Sequence, residues 1–161
     1  MIIFGVDPGF ALTGYGIIEA DKSKLRLLEA GCVSTKADEL FTARCEKIYN
    51  ELSALMQKYK PDAFAVEELF FNSNQKTAIM VAQGRGVAVL AATHNKIPVY
   101  EYTPLQVKQS VAGYGRADKN QVQQMVKVIL KLDKIIKPDD AADAVAIAIS
   151  HAYGYRGAKI I

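Results

Sequence analysis

At 161 residues, half of them apolar and 23% charged, the chain suits one globular domain and excludes the disordered, collagen-like and low-complexity classes. No apolar run nears the roughly 20 residues of a membrane span, and the opening MIIFGVDPGF carries an acid inside its apolar stretch, against a secretion signal. The net charge of +3 names no partner, but residues 103–161 hold nine basic against five acidic side chains, a local excess that suits a polyanion.

Met1 to Val6 predicts a buried strand stopped by the turn Asp7-Pro8-Gly9. Thr13 to Glu19 and Leu25 to Ser34 are further strand-like runs, joined by the polar turn Asp21-Lys22-Ser23-Lys24. Three strands with short links predict an antiparallel meander. Cys32 falls in the third of them and Cys45 in the helix that follows. Without CxxC or Cys/His spacing, both read as buried thiols of a reducing cytoplasm.

From Asp38 the period changes. Phe41, Ile48, Leu52, Leu55 and Tyr59 mark one face of a helix, with Asp38 as N-cap and Pro61 beyond the end. Ala63 to Val66 is a short apolar strand ending at Glu67, a helical pattern runs over 73–94, and Pro98 to Tyr102 gives another strand. Thr103-Pro104 is a cap followed by proline at the first helical position, and Gly113-Tyr114-Gly115 breaks that helix. Asp118 and Gln121 form a capping box ahead of Val122, Met125, Val126, Ile129 and Leu130 at helical spacing. A last helix starts near Pro138 and runs through Ala141 to Ala152, apolar nearly all round and therefore buried. This order predicts an α/β fold: one unit over residues 1–161, a five-stranded mixed sheet and helices on both faces.

Four carboxylates fall where a carboxylate is costly. Asp7 ends the first buried strand and Glu67 the fourth, so if those strands are neighbours both acids emerge at the same edge, where open α/β sheets bind ligands. Asp140 and Asp143, three apart at the start of the last helix, share a face. Asp143 lies among Ala142, Ala144 and Val145 on a helix with no polar side, and an uncompensated charge there is expensive. Two hard divalent cations, Mg²⁺ or Mn²⁺, would relieve all four acids and are the equipment of in-line phosphodiester hydrolysis. Taken singly, each acid also has a plainer role: a turn residue at Asp7, an edge residue at Glu67, helix-start charges at Asp139 and Asp140. Spacing leaves Glu68 competing with Glu67, and Asp139 sharing the face of Asp143.

Taken together, the segments GVDPGFALTGYGII, FAVEELFF, GRGVA, VYEYTPLQVKQSVAGYGRADKNQVQQMV and DDAADAVAIAISH resemble the RuvC family of Holliday junction resolvases, in the family's order. The resemblance implies a ribonuclease H-like fold, and a metal-dependent endonuclease that cuts two strands of like polarity in recombination and repair. It implies that Asp7, Glu67, Asp140 and Asp143 are the catalytic and metal-binding acids, with two Mg²⁺ per site and Mn²⁺ as a substitute. It further implies that Lys108 and Lys119 approach the scissile phosphate, flanking the loop that ends at Arg116, and that Phe70 stacks on an unpaired base, with Phe71 a competitor for that role. Arg85, between Gly84 and Gly86, has room to approach a DNA phosphate and equally suits helix packing.

A four-way junction is nearly two-fold symmetric, so two active sites on a dyad are expected and an isologous homodimer supplies them. The helix over 73–94, with Ile79, Met80, Val87 and Leu90, is a candidate interface, or else simple sheet cover. By resemblance, a branch-migration motor is a further partner. Two other classes stay open at this point: a phosphotransferase, because Asp7-Pro8-Gly9 with Thr13-Gly14 resembles a phosphate loop, and a non-catalytic junction-binding module.

Overall fold

The computed structural model describes residues 1–22, 24–69, 75–154 and 159–161. Strands β1 (Ile2–Asp7), β2 (Leu12–Asp21) and β3 (Lys24–Ser34) form the expected antiparallel meander. Helix α1 (Phe41–Tyr59) leads to β4 (Ala63–Glu67), which lies parallel to β1, and α2 (Gln75–His94) leads to β5 (Val99–Tyr102), parallel to β4. Helices α3 (Pro104–Ala112), α4 (Lys119–Ile129) and α5 (Asp139–Ala152) follow, then β6 (Lys159–Ile160). The sheet order is β3-β2-β1-β4-β5-β6.

The sheet thus has six strands, not five. The sixth pairs antiparallel with β5 through Tyr100 with Ile160 and Glu101 with Lys159, and the Ile161 amide donates to the Val99 carbonyl oxygen at 3.2 Å. Two residues are too short to leave a period in a sequence. A second correction concerns α1, which begins at Phe41 with Leu40 at its N-cap and no side-chain cap; Asp38 does not cap it. At its entry stands a tertiary contact, Phe41 stacked on Phe10 with ring centroids 5.0 Å apart. Local chemistry does decide the starts of α3 and α4, where both Thr103 with Gln106 and Asp118 with Gln121 make reciprocal capping boxes. Cys32 and Cys45 are free and only half-buried.

Strand alternation sorts the core into two layers. Phe4, Val6, Phe64 and Val66 pack on one face against Ile48, Leu52 and Met56 of α1 and Ala88, Ala91 and Ala92 of α2. Ile3 and Ala65 face the other way, into a cluster built from α3, α4 and α5. Asp7 and Glu67 continue the second series, so period two alone turns both toward α5.

Helix α5 lies unusually close to the sheet, because Gly5 and Gly16, register partners on β1 and β2, face its backbone. A Cβ on Gly5 would stand 2.1 Å from the Ala144 carbonyl oxygen, and one on Gly14, the partner of Asp7, 2.1 Å from that of Asp140. Glycines in the strands and alanines in the helix are one device: they bring the start of α5 down beside Asp7. Gly5→Ala must push that backbone away and is expected to cost about 1–3 kcal/mol, the range of core overpacking. A urea midpoint unchanged from the native chain would contradict this packing.

Candidate active site

Because β1 and β4 are parallel neighbours, with Val6 opposite Val66, Asp7 and Glu67 leave the sheet side by side. The first turns of α5 bring Asp140 and Asp143 over them, and all four acids interact electrostatically. Burial, then the charges of Glu67, Asp143 and Asp140, push the Asp7 carboxyl up to about 7, with Lys119 opposing. Burial and then Asp143 raise Glu67 to about 7 against Lys108 and Lys119. Burial also raises Asp143, with the Lys119 ammonium pulling the other way.

The geometry bears unequally on the alternatives that spacing leaves open. Glu68 is exposed, on the opposite alternation from Glu67, yet it lines the same recess as Asp7 and Asp140. Asp139 turns outward to Lys137, 2.6 Å away, which holds its carboxyl below the usual range. That recess, of about 390 Å³, opens between Asp7, Gly9, Glu67, Glu68 and Asp140. A second, of about 260 Å³, has Glu67, Lys108, Lys119 and Asp143 around a floor of Val107, Val122 and Ile147. This apolar floor is why carboxylates beside it are poorly hydrated.

As placed, no three His, Cys, Asp or Glu side chains among the described residues come close enough to enclose one metal ion. The charge is met instead by Lys119, whose Nζ stands 2.8 Å from Asp143 Oδ2 and 3.9 Å from Asp139 Oδ2. Even so, the donor set fits a hard divalent cation: carboxylate oxygens only, two of the acids raised by burial and neighbouring negative charge, with a cation already drawn in.

Of the basic residues singled out in the sequence, Lys108 on α3 and Lys119 on α4 reach the site, and Arg116 is exposed in the loop between those helices. Arg85 comes to the site from behind. Its Nε donates to the Glu67 carbonyl oxygen at 3.2 Å and its Nη2 pairs with the Glu101 carboxylate, both side chains largely buried. It braces the end of β4. Arg85→Met leaves Glu101 buried without its partner and is expected to lose about 3–5 kcal/mol, part of it regained by adding Glu101→Gln. Thermal unfolding of the single and double variants checks this; no loss in the single variant would exclude the brace. Phe70 and Phe71 lie outside the described residues.

Sequence reasoning missed the clamp on the turn after Asp7. Thr13 Oγ1 donates to the Gly9 carbonyl at 2.5 Å and Thr35 Oγ1 to that of Phe10 at 2.6 Å. Buried Arg44 donates to Thr35 Oγ1 at 2.9 Å and lies 4.3 Å from the Phe10 ring centroid. The available signal was phase, since Arg44 shares the buried face of α1 with Ile48 and Leu52, where an exposed arginine is not expected.

The family model of crossover junction endodeoxyribonuclease RuvC matches residues 3–151. The chain is 57% identical over 156 residues to crossover junction endodeoxyribonuclease RuvC of Ruminiclostridium cellulolyticum, covering 97% of this chain and 94% of that one. It is 55% identical over 161 residues to that of Clostridioides difficile, covering 100% and 95%. Among solved structures, Thermus thermophilus RuvC in complex with Holliday junction substrate matches with a TM-score of 0.94 and 37% identity, over 100% of this chain and 99% of that one. The fold is ribonuclease H-like.

Proposed function

Because the chain belongs to the RuvC family of crossover junction endodeoxyribonucleases, we propose that Asp7, Glu67, Asp140 and Asp143 are the carboxylates with which it cuts DNA. The chain is a Holliday junction resolvase, a nuclease of recombination and DNA repair. The observation that carries the assignment is convergence: acids from β1, β4 and α5 meet at one sheet edge, where burial and like charge leave Asp7 and Glu67 reluctant anions.

The four acids would hold two Mg²⁺, for which Mn²⁺ could stand in. Bound there, the ions supply the positive charge that activates a water and stabilises the leaving 3′ oxygen of an in-line displacement. The chain's own groups do the rest. Asp7 and Glu67 release their protons as the ions load, so loading strengthens as pH rises through about 7. Lys108 and Lys119 offer ammonium groups to the strand phosphate at the rim, and exposed Arg116 extends that basic edge. The floor of Val107, Val122 and Ile147 excludes bulk water beneath the acids. Arg85 acts on DNA only indirectly, by fixing the end of β4, and Phe70 and Phe71 are assigned to base stacking by family likeness.

Symmetric cuts in two strands of like polarity call for two such sites. The outer face of α2 suits a homodimer contact, since Ile79 and Leu90 stand exposed there, while Met80 and Val87 pack inward. Both core layers rest on one sheet, which supports residues 1–161 as a single nuclease domain. Among the described residues no helix is long and apolar enough to cross a membrane. A cytoplasmic location and a branch-migration motor as partner follow from the family.

The direct test is cleavage of a synthetic four-way junction. Symmetric nicks are expected with Mg²⁺ or Mn²⁺ and none in EDTA. Cutting in EDTA at the rate seen with Mg²⁺ would dismiss the carboxylate-metal mechanism.

A further inference from the structure

We propose that Lys119 and Asp139 form a charge-exchange pair: the Lys119 ammonium is a displaceable occupant of Asp143, and Asp139 is the positioning residue that receives it. The inference rests on the reading that the four acids hold divalent cations. Lys119 is the first residue of α4 and Asp139 the first of α5, so the two helix starts meet at the mouth of the site. From there Lys119 Nζ reaches inward to Asp143 Oδ2 at 2.8 Å, while Asp139 Oδ2 lies 3.9 Å from the same nitrogen. The lysine side chain is 54% exposed and that of Asp143 30%, so a well-hydrated cation reaches down to a carboxylate that burial disfavours as an anion.

An ammonium and a divalent ion draw on the same carboxylate charge, and the divalent ion brings twice the charge to it. Lys119 therefore yields when Asp143 takes a metal ligand's place. Asp139 is the anion already within its reach. Its other oxygen, Oδ1, is held 2.6 Å from Lys137 Nζ, so Oδ2 is presented to Lys119 without the carboxylate having to turn. The flexible four-carbon stem of lysine makes that short swing easy. Docked on Asp139, the ammonium stays at the rim of the acid cluster, where a strand phosphate must enter, and does not withdraw into solvent. The charge of Asp139 is the last and weakest of the influences on Asp143, so its effect on the site runs chiefly through Lys119.

Calorimetric titration of the full chain with Mn²⁺, without DNA, separates displacement from plain electrostatics. Lys119→Met is expected to tighten Mn²⁺ binding about fivefold, the scale of one partly exposed ion pair, because no ammonium has to leave. Lys108→Met removes equal charge from the Glu67 side without breaking an ion pair among the described residues, and is expected to change binding about twofold at most. Asp139→Asn is expected to weaken Mn²⁺ binding about threefold in the native chain and hardly at all on top of Lys119→Met, the signature of a coupled pair. Melting curves confirm that each variant is folded. Equal tightening by the two lysine variants, or an Asp139→Asn effect of the same size in both backgrounds, would overturn the exchange and leave the metal site standing. A native chain that binds no Mn²⁺ would remove the metal site and the exchange with it.

Discussion

Asp7→Asn is expected to slow cleavage of a four-way junction by roughly a thousandfold or more, the scale of losing a group essential to the chemistry, while junction binding persists. The substitution keeps the shape of the side chain and deletes one negative charge at the point where β1 ends against α5. That charge sits next to Glu67, Asp143 and Asp140, and burial adds to their repulsion. On the proposed assignment, deleting it removes a ligand for divalent ions and relieves the fold at the same time. At pH 8 in EDTA the variant should therefore melt above the native chain, by an amount on the order of 2 kcal/mol once the raised carboxyl is discounted for partial hydration. Gel cleavage, mobility-shift binding and thermal unfolding read the three effects separately. Normal cutting by the variant would reject Asp7 as a catalytic group; a variant that melts below the native chain would reject the repulsion.

Without divalent ions, the native chain should lose stability as pH rises from about 4 to about 8. Asp7 and Glu67 both have folded values near 7, above their ordinary values of 3.8 and 4.5. A raised carboxyl binds its proton more tightly in the folded state, so its contribution is complete below the unfolded value and is lost as pH climbs through the folded one. Glu29 runs the other way. Hydrogen bonds from Lys58 and Tyr59 hold it below its usual value, so its contribution is lost on acidification. The metal-free optimum should then fall at mildly acidic pH. If the acids hold Mg²⁺ as proposed, it should restore stability at pH 8, because the site exists in the folded chain alone. Melting temperatures at pH 5.5 and 8, in EDTA and in Mg²⁺, are expected to show a drop of about 5 °C in EDTA that Mg²⁺ reverses. A flat profile that ignores Mg²⁺ would mean that the acids carry no such strain.

Much of this molecule was legible in one dimension, because the signals are local. Alternating and helical periods located β1 to β5 and all five helices, and the capping boxes at Thr103 and Asp118 marked helix starts in the sequence as they do in the structure. Asp143 announced itself as a charge on a helix with no polar side. Likeness to a family then selected Asp7, Glu67, Asp140 and Asp143 from among their neighbours.

Whatever depended on partners far along the chain was not legible. In the sequence Arg85 suits a phosphate contact or helix packing equally, yet its partner Glu101 lies 16 residues away on β5, and pairing the two decides that it braces β4. The entry of α1 packs on Phe10 and is not capped by Asp38, and β6 forms on the edge that β5 offers. Gly5, Gly14 and Gly16 look like weak points of two strands until α5 is laid on them, when they become the reason Asp140 and Asp143 stand beside Asp7. Residue type and period are properties of a short stretch and survive in the sequence. Distance between charges is a property of the assembled sheet and the helix packed on it, and it exists only after folding has brought those stretches together.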